Sequence, residues 1–229
     1  PFAYSRPQNL DDALGLLSEH GASARVLAGG QSLIATLNMR LSSPEVLIDI
    51  GQIADLTGID DTGPAIRIGA MTRHVDVEIS ELVATHAPMI SAAMGHIAHP
   101  AIRNRGTFGG SVAFADPAAE LPACTVALGA TMHLVGKAGE RDVPADSFYK
   151  GLYETAIGPD EILTAISLPK IETGWRSGFM ELARRHGDYA LAGVCALVTV
   201  EGGICTAVRL AACGIGSKAT RLANAESAL

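Results

Sequence analysis

The sequence predicts an α+β fold, and three observations carry that reading. The first half of the chain alternates helix and strand signals, the second half turns to strands, and two glycine-rich corners lie in the first half. With 229 residues, 48% of them hydrophobic, the chain can bury one large core or two to three smaller ones.

The elements follow in order. Asn9 is a good N-cap, Asp11 and Asp12 suit the first turn of a helix, Leu10, Ala13, Leu14 and Leu17 form one apolar face, and Gly21 offers a left-handed exit. Residues 24–28 read as a short strand, Leu33 to Arg40 as a helix, and residues 46–50 as a strand, so the Gly29-Gly30 corner opens a helix. Ile66 to Gly69 reads as a strand, and Met89 to Ala98 as a helix that His99-Pro100 ends. Asp116 and Pro117 suit the N-cap and first position of a helix over 118–128, with Pro122 bending its first turns. Beyond Gly129, the segments 131–135, 162–168, 191–200 and 204–212 are rich in β-branched and apolar residues and read as strands. Ile171 to Gly174 is the expected linker, and residues 220–229 read as the start of a helix.

Composition narrows the function classes. The net charge of -7 excludes a nucleic-acid surface, which needs clustered Lys and Arg. No apolar run approaches the ~20 residues that cross a bilayer, and the start, Pro1-Phe2-Ala3-Tyr4, lacks a charged region followed by an apolar stretch, so a cytoplasmic address is expected. Cys124, Cys195, Cys205 and Cys213 occur singly, without the clustered spacing of zinc or iron-sulfur sites, and read as reduced core residues. His96 and His99 have no carboxylate or cysteine at ligand spacing and read as structural or solvent-facing. Any iron-sulfur centre that exchanges electrons with this chain is therefore expected on another one.

The chemistry lies in the two glycine corners, Leu27-Ala28-Gly29-Gly30-Gln31-Ser32-Leu33 and Asn104-Arg105-Gly106-Thr107-Phe108-Gly109-Gly110-Ser111. Adjacent glycines let peptide N–H groups approach an anion without Cβ obstruction, and a helix N-terminus adds a partial positive charge. One such corner is explained by steric need alone; two can close on the two phosphates of a dinucleotide. The pattern is neither G-x-G-x-x-G nor a P-loop, and no Gly-x-Ser-x-Gly elbow or paired His and acid activates Ser32 or Ser111. General acid–base or nucleophilic catalysis by this chain alone is unsupported.

Ordered motifs carry a family resemblance over nearly the whole chain. Phe2-x-Tyr4-x-x-Pro7, Ala28 to Leu33 followed by Pro44 to Ile50, Ile68 to His74, Ile102 to Ser111 with Ala115 to Glu120, and Ala183 to Ala190 together resemble the FAD-binding medium subunit of molybdenum hydroxylases, the group of aerobic carbon monoxide dehydrogenase and xanthine dehydrogenase. The resemblance implies a two-lobed FAD-binding domain of the vanillyl-alcohol oxidase (PCMH) type, with lobes 1–52 and 53–170. A small, incomplete α/β C-terminal domain over 175–229 follows, because relatives continue further. It implies that Ala28, Gly29, Gly30, Gln31, Ser32 and Leu33 hold the pyrophosphate, and that Thr107, Gly109, Gly110 and Ser111, with Asn104 in the same motif, grip it from the other lobe. Asp116 and Glu120 would reach ribose or ribityl hydroxyls, Ile97, Ile102 and Leu163 would pack along the cofactor, and Tyr189 would lie near the isoalloxazine. Each has a simpler reading as well: Ile97, Ile102 and Leu163 as core, Asp116 as a cap, Glu120 as a solvated charge, Tyr189 as a surface anchor. One departure stands out, since many relatives place a lysine just before the Arg184-Arg185 pair, where this chain has Met180, Glu181 and Leu182.

The function implied is an electron-transfer subunit. FAD on this chain would take electrons from an iron-sulfur small subunit, fed by a molybdenum-pterin centre on a large subunit, and pass them to an external acceptor, the whole forming a dimer of heterotrimers. A stand-alone FAD-dependent oxidoreductase and a catalytically silent nucleotide-binding assembly module remain alternatives.

Overall fold

The computed structural model describes residues 2–229; Pro1, the first residue of the N-terminal segment read above, lies outside them. The first of its three larger sheets is wholly parallel, with strand Val46–Asp49 between Ala3–Ser5 and Ala24–Leu27. Ala3 and Ala24 both stand opposite Val46, so the strands are closely in phase. Helix Leu10–His20 is the first crossover, and the Asn9 side chain accepts the Asp12 N–H at 2.8 Å, as a cap should. Ala13, Leu14 and Leu17 bury the predicted face against Ile48 and Ile50. In such open sheets ligands bind beyond the carboxyl ends of the strands. Here those ends carry Arg6, Ala28 and Ile50, each one residue past its strand.

The second sheet is antiparallel, in the order Ile59–Asp61, Ala65–Gly69, Glu161–Pro169, Thr131–Gly136, Gly139–Pro144. Between its strands Ala65–Gly69 and Thr131–Gly136 the chain inserts six short helices, including Pro88–Met94, Phe108–Phe114 and Glu120–Leu128. The third sheet is an antiparallel meander of Trp175–Ala183, Ala190–Glu201, Ile204–Cys213 and Thr220–Arg221. Helix Glu120–Leu128 joins the last two sheets. All its residues are buried, which suits a helix with almost no polar face. Cys124 on that helix and Cys195 on the meander bring their sulfurs to 3.6 Å. Both thiols are free and buried, as is Cys213, so these three pack as core residues, whereas Cys205, also expected in the core, is only half-buried.

Several local readings shift. Gly109 and Gly110 lie in the first turn of a helix, Phe108–Phe114, rather than in an open corner. Each glycine costs a helix about 1 kcal/mol relative to Ala, which hides it in sequence; burial of Phe108 and Val112 offsets that cost. The next helix starts at Glu120, not Ala118. Ala115 already ends the preceding helix in a left-handed conformation (φ 54°), and the Asp116 carboxylate accepts the Ala118 N–H at 2.9 Å in a separate turn. Asp116 is therefore not the N-cap, a position that Ala119 occupies. The helix expected to reach Ala98 stops at Met94, with Gly95 as its C-cap and Ala98 left-handed. Near the C-terminus, Thr220–Arg221 pairs as a strand and only Ala223–Glu226 is helical. Among the described residues no helix is long and apolar enough to cross a membrane.

Leu121, fully buried on the helix that joins two sheets, gives a direct test of the packing. Leu121→Ala should lower the unfolding free energy by about 3 kcal/mol, read by chemical denaturation. A loss under about 1 kcal/mol would mean the helix is not the joint described.

Candidate functional site

The two glycine segments touch. A Cβ on Gly29 would strike the Arg105 carbonyl oxygen and stand 2.9 Å from Gly106 Cα, and one on Gly110 would lie 3.6 Å from Ala28 Cβ. Gly30 adopts φ 74°, a left-handed conformation that favours glycine. Beside this contact opens a cavity of about 580 Å³, bordered by Ala28 to Gln31 from the first segment and by Arg73 and Arg105 from the second lobe. Tyr4, Arg6 and Asp49, at or near the carboxyl ends of the parallel strands, complete its rim.

The two segments differ in what their amides do. In the second, all amides but that of Thr107 are engaged: among them Phe108 and Gly109 donate to the Thr72 and Ala70 carbonyls at 2.9 Å, Gly110 to the Thr107 hydroxyl at 3.1 Å, and Ser111 to the Thr107 carbonyl at 3.1 Å. In the first, the N–H groups of Gly29, Gly30, Gln31, Ser32 and Leu33 find no acceptor among the described residues. Buried or half-buried peptide donors seek a partner, and those of Gly29, Gly30 and Gln31 border the cavity. The second segment supplies a rigid floor; the first supplies the donors.

Side chains around the cavity divide in the same way. Arg103 is committed to structure, its Nε 2.9 Å from a Glu78 carboxylate oxygen and its guanidinium bonded to the Ile97 carbonyl. Arg73 donates to the Arg105 carbonyl, and neither Arg73 nor Arg105 has an acidic partner among the described residues. Asp49 organises the rim: it accepts from the Tyr4 hydroxyl and the Gly51 N–H, and Arg6 Nε stands 3.5 Å away. Sequence reasoning assigned no role to Tyr4, Arg6, Asp49 or Arg73. Tyr4, Asp49 and Arg73 lay inside the quoted motifs, but only the folded register of strand ends brings them to one rim.

His74 supports the floor from below. Its Nε2 lies 2.9 Å from the Thr107 carbonyl, while Nδ1 is buried without a partner and faces Gly106, where a Cβ would come within 3.0 Å. The carbonyl can only accept, so the proton sits on Nε2. Burial pushes the imidazole pKa down to about 4, Arg103 and Arg73 add to that, and the Thr107 bond opposes it.

Three of the remaining predicted residues gather at the far end of helix Phe108–Phe114, about 10 Å from Thr107 at 1.5 Å per residue; the others do not. Asp116 and Glu120 lie there, with Tyr189, whose ring is 69% exposed. Glu120 is buried, and its carboxyl is pushed up to about 7 by that burial, with the Glu181 and Asp116 charges acting the same way. Gly187, two residues before Tyr189, packs on Ala98, so the loop that carries Tyr189 docks next to buried Ile97. Ile102 is at the surface and Asn104 is exposed beside Arg105. Leu163 is buried in the core cluster that holds Phe108 and Val112.

His74 gives this site an acid limit. Its folded value near 4 lies below the ordinary 6.5, so the unfolded chain takes the proton first as pH falls. Stability from the neutral imidazole is complete above pH 6.5 and is lost on acidification towards 4, by on the order of 2–3 kcal/mol. Thermal unfolding across that window should show the decline in the parent and a flatter profile in His74→Gln; matching slopes would refute the assignment.

The chain and its fold have close counterparts among known proteins. Residues 1–171 match the family described as the FAD binding domain in molybdopterin dehydrogenase, and residues 177–229 match the CO dehydrogenase flavoprotein C-terminal domain. The chain is 40% identical to the alpha subunit of the 6-hydroxypseudooxynicotine dehydrogenase complex of Paenarthrobacter nicotinovorans, covering 100% of this chain and 77% of that one. It is 43% identical to the carbon monoxide dehydrogenase medium chain of Afipia carboxidovorans, covering 89% and 71%. The solved carbon monoxide dehydrogenase of Hydrogenophaga pseudoflava superimposes with a TM-score of 0.97 at 38% identity, over 100% of this chain and 79% of that chain. Quinoline 2-oxidoreductase of Pseudomonas putida gives 0.94 at 37% identity, over 99% and 79%. With its free amides and glycine floor at the junction of two lobes, the chain belongs to the FAD-binding medium subunits of the carbon monoxide dehydrogenase and molybdenum hydroxylase family, and is an oxidoreductase subunit.

Proposed function

We propose that this chain binds FAD across its two glycine segments and passes electrons from iron-sulfur clusters on a partner subunit to an external acceptor. The observation that carries the reading is the run of unengaged amides from Gly29 to Leu33, of which Gly29, Gly30 and Gln31 border the same cavity as Arg73 and Arg105. A diphosphate is the ligand such a donor set fits: it carries negative charge, accepts several N–H bonds, and needs the close backbone approach that Cβ atoms would block.

The residues take the following roles. Ala28 to Leu33 hold the phosphates, and Thr107, Gly109, Gly110 and Ser111, with Asn104 beside them, shape the surface against which the phosphates lie. Asp116 and Glu120 accept bonds from sugar hydroxyls, Ile97, Ile102 and Leu163 give the apolar side, and Tyr189 borders the ring. Bound FAD supplies a redox centre that exchanges electrons singly or in pairs. The three sheets support lobes at 1–52 and 53–170 and a C-terminal domain at 175–229. Relatives named as medium chains and complex subunits support partner subunits; on these we place the iron-sulfur clusters and the molybdenum-pterin centre, in a doubled heterotrimer in the cytoplasm.

Flavin fluorescence quenching should report FAD binding by the parent chain, competition by ADP, and at least about tenfold weaker binding, a change of ~1.4 kcal/mol, in Gly29→Ala. Equal binding by the variant would remove the glycine contact from the site. In the assembled complex, stopped-flow absorbance should show flavin bleaching after the iron-sulfur signal; flavin that stays oxidised while those clusters are reduced would overturn electron transfer.

A further inference from the structure

Three side chains outside the cavity meet across the antiparallel sheet. His133, on strand Thr131–Gly136, places Nδ1 2.7 Å from an Asp142 carboxylate oxygen on Gly139–Pro144 and Nε2 2.7 Å from the Ser167 hydroxyl on Glu161–Pro169. Strand register explains the reach. Asp142 stands directly opposite His133, whereas Ala165, opposite on the other side, is too short to keep the imidazole from leaning towards Ser167 two residues on. The register of that strand pair also shifts between Leu163 and Ala165, an irregularity of the kind that re-aims a side chain. The Thr164 hydroxyl donates to the His133 carbonyl at 3.1 Å and holds the backbone there.

The proton positions follow from what each group can do. A carboxylate only accepts, so Asp142 keeps the proton of the neutral imidazole on Nδ1. Nε2 then presents its lone pair to the Ser167 O–H. A serine hydroxyl bonded to an imidazole that a carboxylate orients is an activated nucleophile, whatever fold carries it. Exposed polar pairs add little to stability, so the sheet does not need this chain of bonds to fold. The fourth group is Arg67 on Ala65–Gly69, directly opposite Ser167, with Asp60 opposite on its far side. Arg67 makes no hydrogen bond or ion pair among the described residues, which leaves its guanidinium free to face a negative oxygen beside Ser167. The His133 side chain is 25% exposed and Ser167 is half-buried, so a small molecule reaches both.

We propose that Ser167 is a nucleophile for acyl transfer from small activated carboxylic esters, with His133 as its base, Asp142 as a positioning residue and Arg67 facing the oxyanion. This site shares no residue with the FAD cavity, so the two readings stand or fall separately. As the Ser167 oxygen bonds to the ester carbonyl carbon, its proton passes to His133 Nε2 and the carbonyl electron pair moves onto oxygen beside Arg67. That pair returns as the bond to the leaving oxygen breaks, and the leaving oxygen takes the proton from Nε2. An ester of Ser167 and a free alcohol or phenol result. Water, deprotonated by the same imidazole, then releases the carboxylic acid and restores the hydroxyl. Nothing is oxidised or reduced.

The full chain is treated with a fluorophosphonate probe and, separately, with p-nitrophenyl acetate, and labelled peptides are mapped by mass spectrometry. The parent should carry one fluorophosphonate label, on the Ser167 peptide, and nitrophenol release should show a burst before slower turnover. Ser167→Ala should lose both. His133→Gln should slow labelling by at least about tenfold, and Asp142→Asn and Arg67→Met should each slow it too, with flavin fluorescence quenching unchanged in every variant. A merely structural chain of hydrogen bonds would leave Ser167 unlabelled in the parent, or labelled as fast in His133→Gln as in the parent. Either result overturns acyl transfer. If Ser167→Ala does not fold, the mapped label in the parent and the rate in His133→Gln decide.

Discussion

The close approach of Gly29 to the Arg105–Gly106 backbone is the constraint on which the rest of the structure depends. It welds an end of the parallel sheet to the helical insertion of the antiparallel one, and no side chain fits between them. The cavity exists because that weld closes one side of the strand ends while Arg73 and Arg105 close another. Packing elsewhere serves to hold the two surfaces at this distance. His74 props the second segment from beneath, Arg103 ties the neighbouring helix to Glu78, and Asp49 fixes the strand-end rim.

The junction with the meander follows a different logic. Helix Glu120–Leu128 carries no polar stripe, so it must be enclosed, and the two sheets that flank it do so. Its first residue is charged, however, and that end reaches the same region as Asp116, Tyr189 and Glu181. One helix therefore links structural burial to the chemistry of the site. The left-handed residue Ala115 makes this possible by turning the chain between two helices that would otherwise run on.

Much of this was legible in the sequence. The capped first helix, the alternation of helix and strand around it, and the two glycine segments converging on one site follow from N-cap chemistry, apolar periodicity and glycine placement, whereas the parallel pairing of the first sheet does not. The helices of the insertion were harder, because several span under two turns and cannot display a 3.6-residue period. The Phe108–Phe114 helix was masked by its own glycines, which are needed for contact with Ala70 and Ala28. Asp116 looked like a cap because local signals do not report that Ala115 has already reversed the chain. Tyr4, Arg6, Asp49 and Arg73 share no local pattern; strand register and the touching lobes bring them together. The chain of Asp142, His133 and Ser167 joins residues of three strands, which no window of sequence can see.

The contrast between engaged and unengaged amides also bears on how a ligand enters and leaves. Since the donors from Gly29 to Leu33 have no partner among the described residues, an incoming phosphate displaces only water, and no internal bond has to break. The floor keeps its shape whether or not anything rests on it. Exchange is thus limited by shedding hydration rather than by opening the protein, and the pocket can be refilled after synthesis without unfolding either lobe.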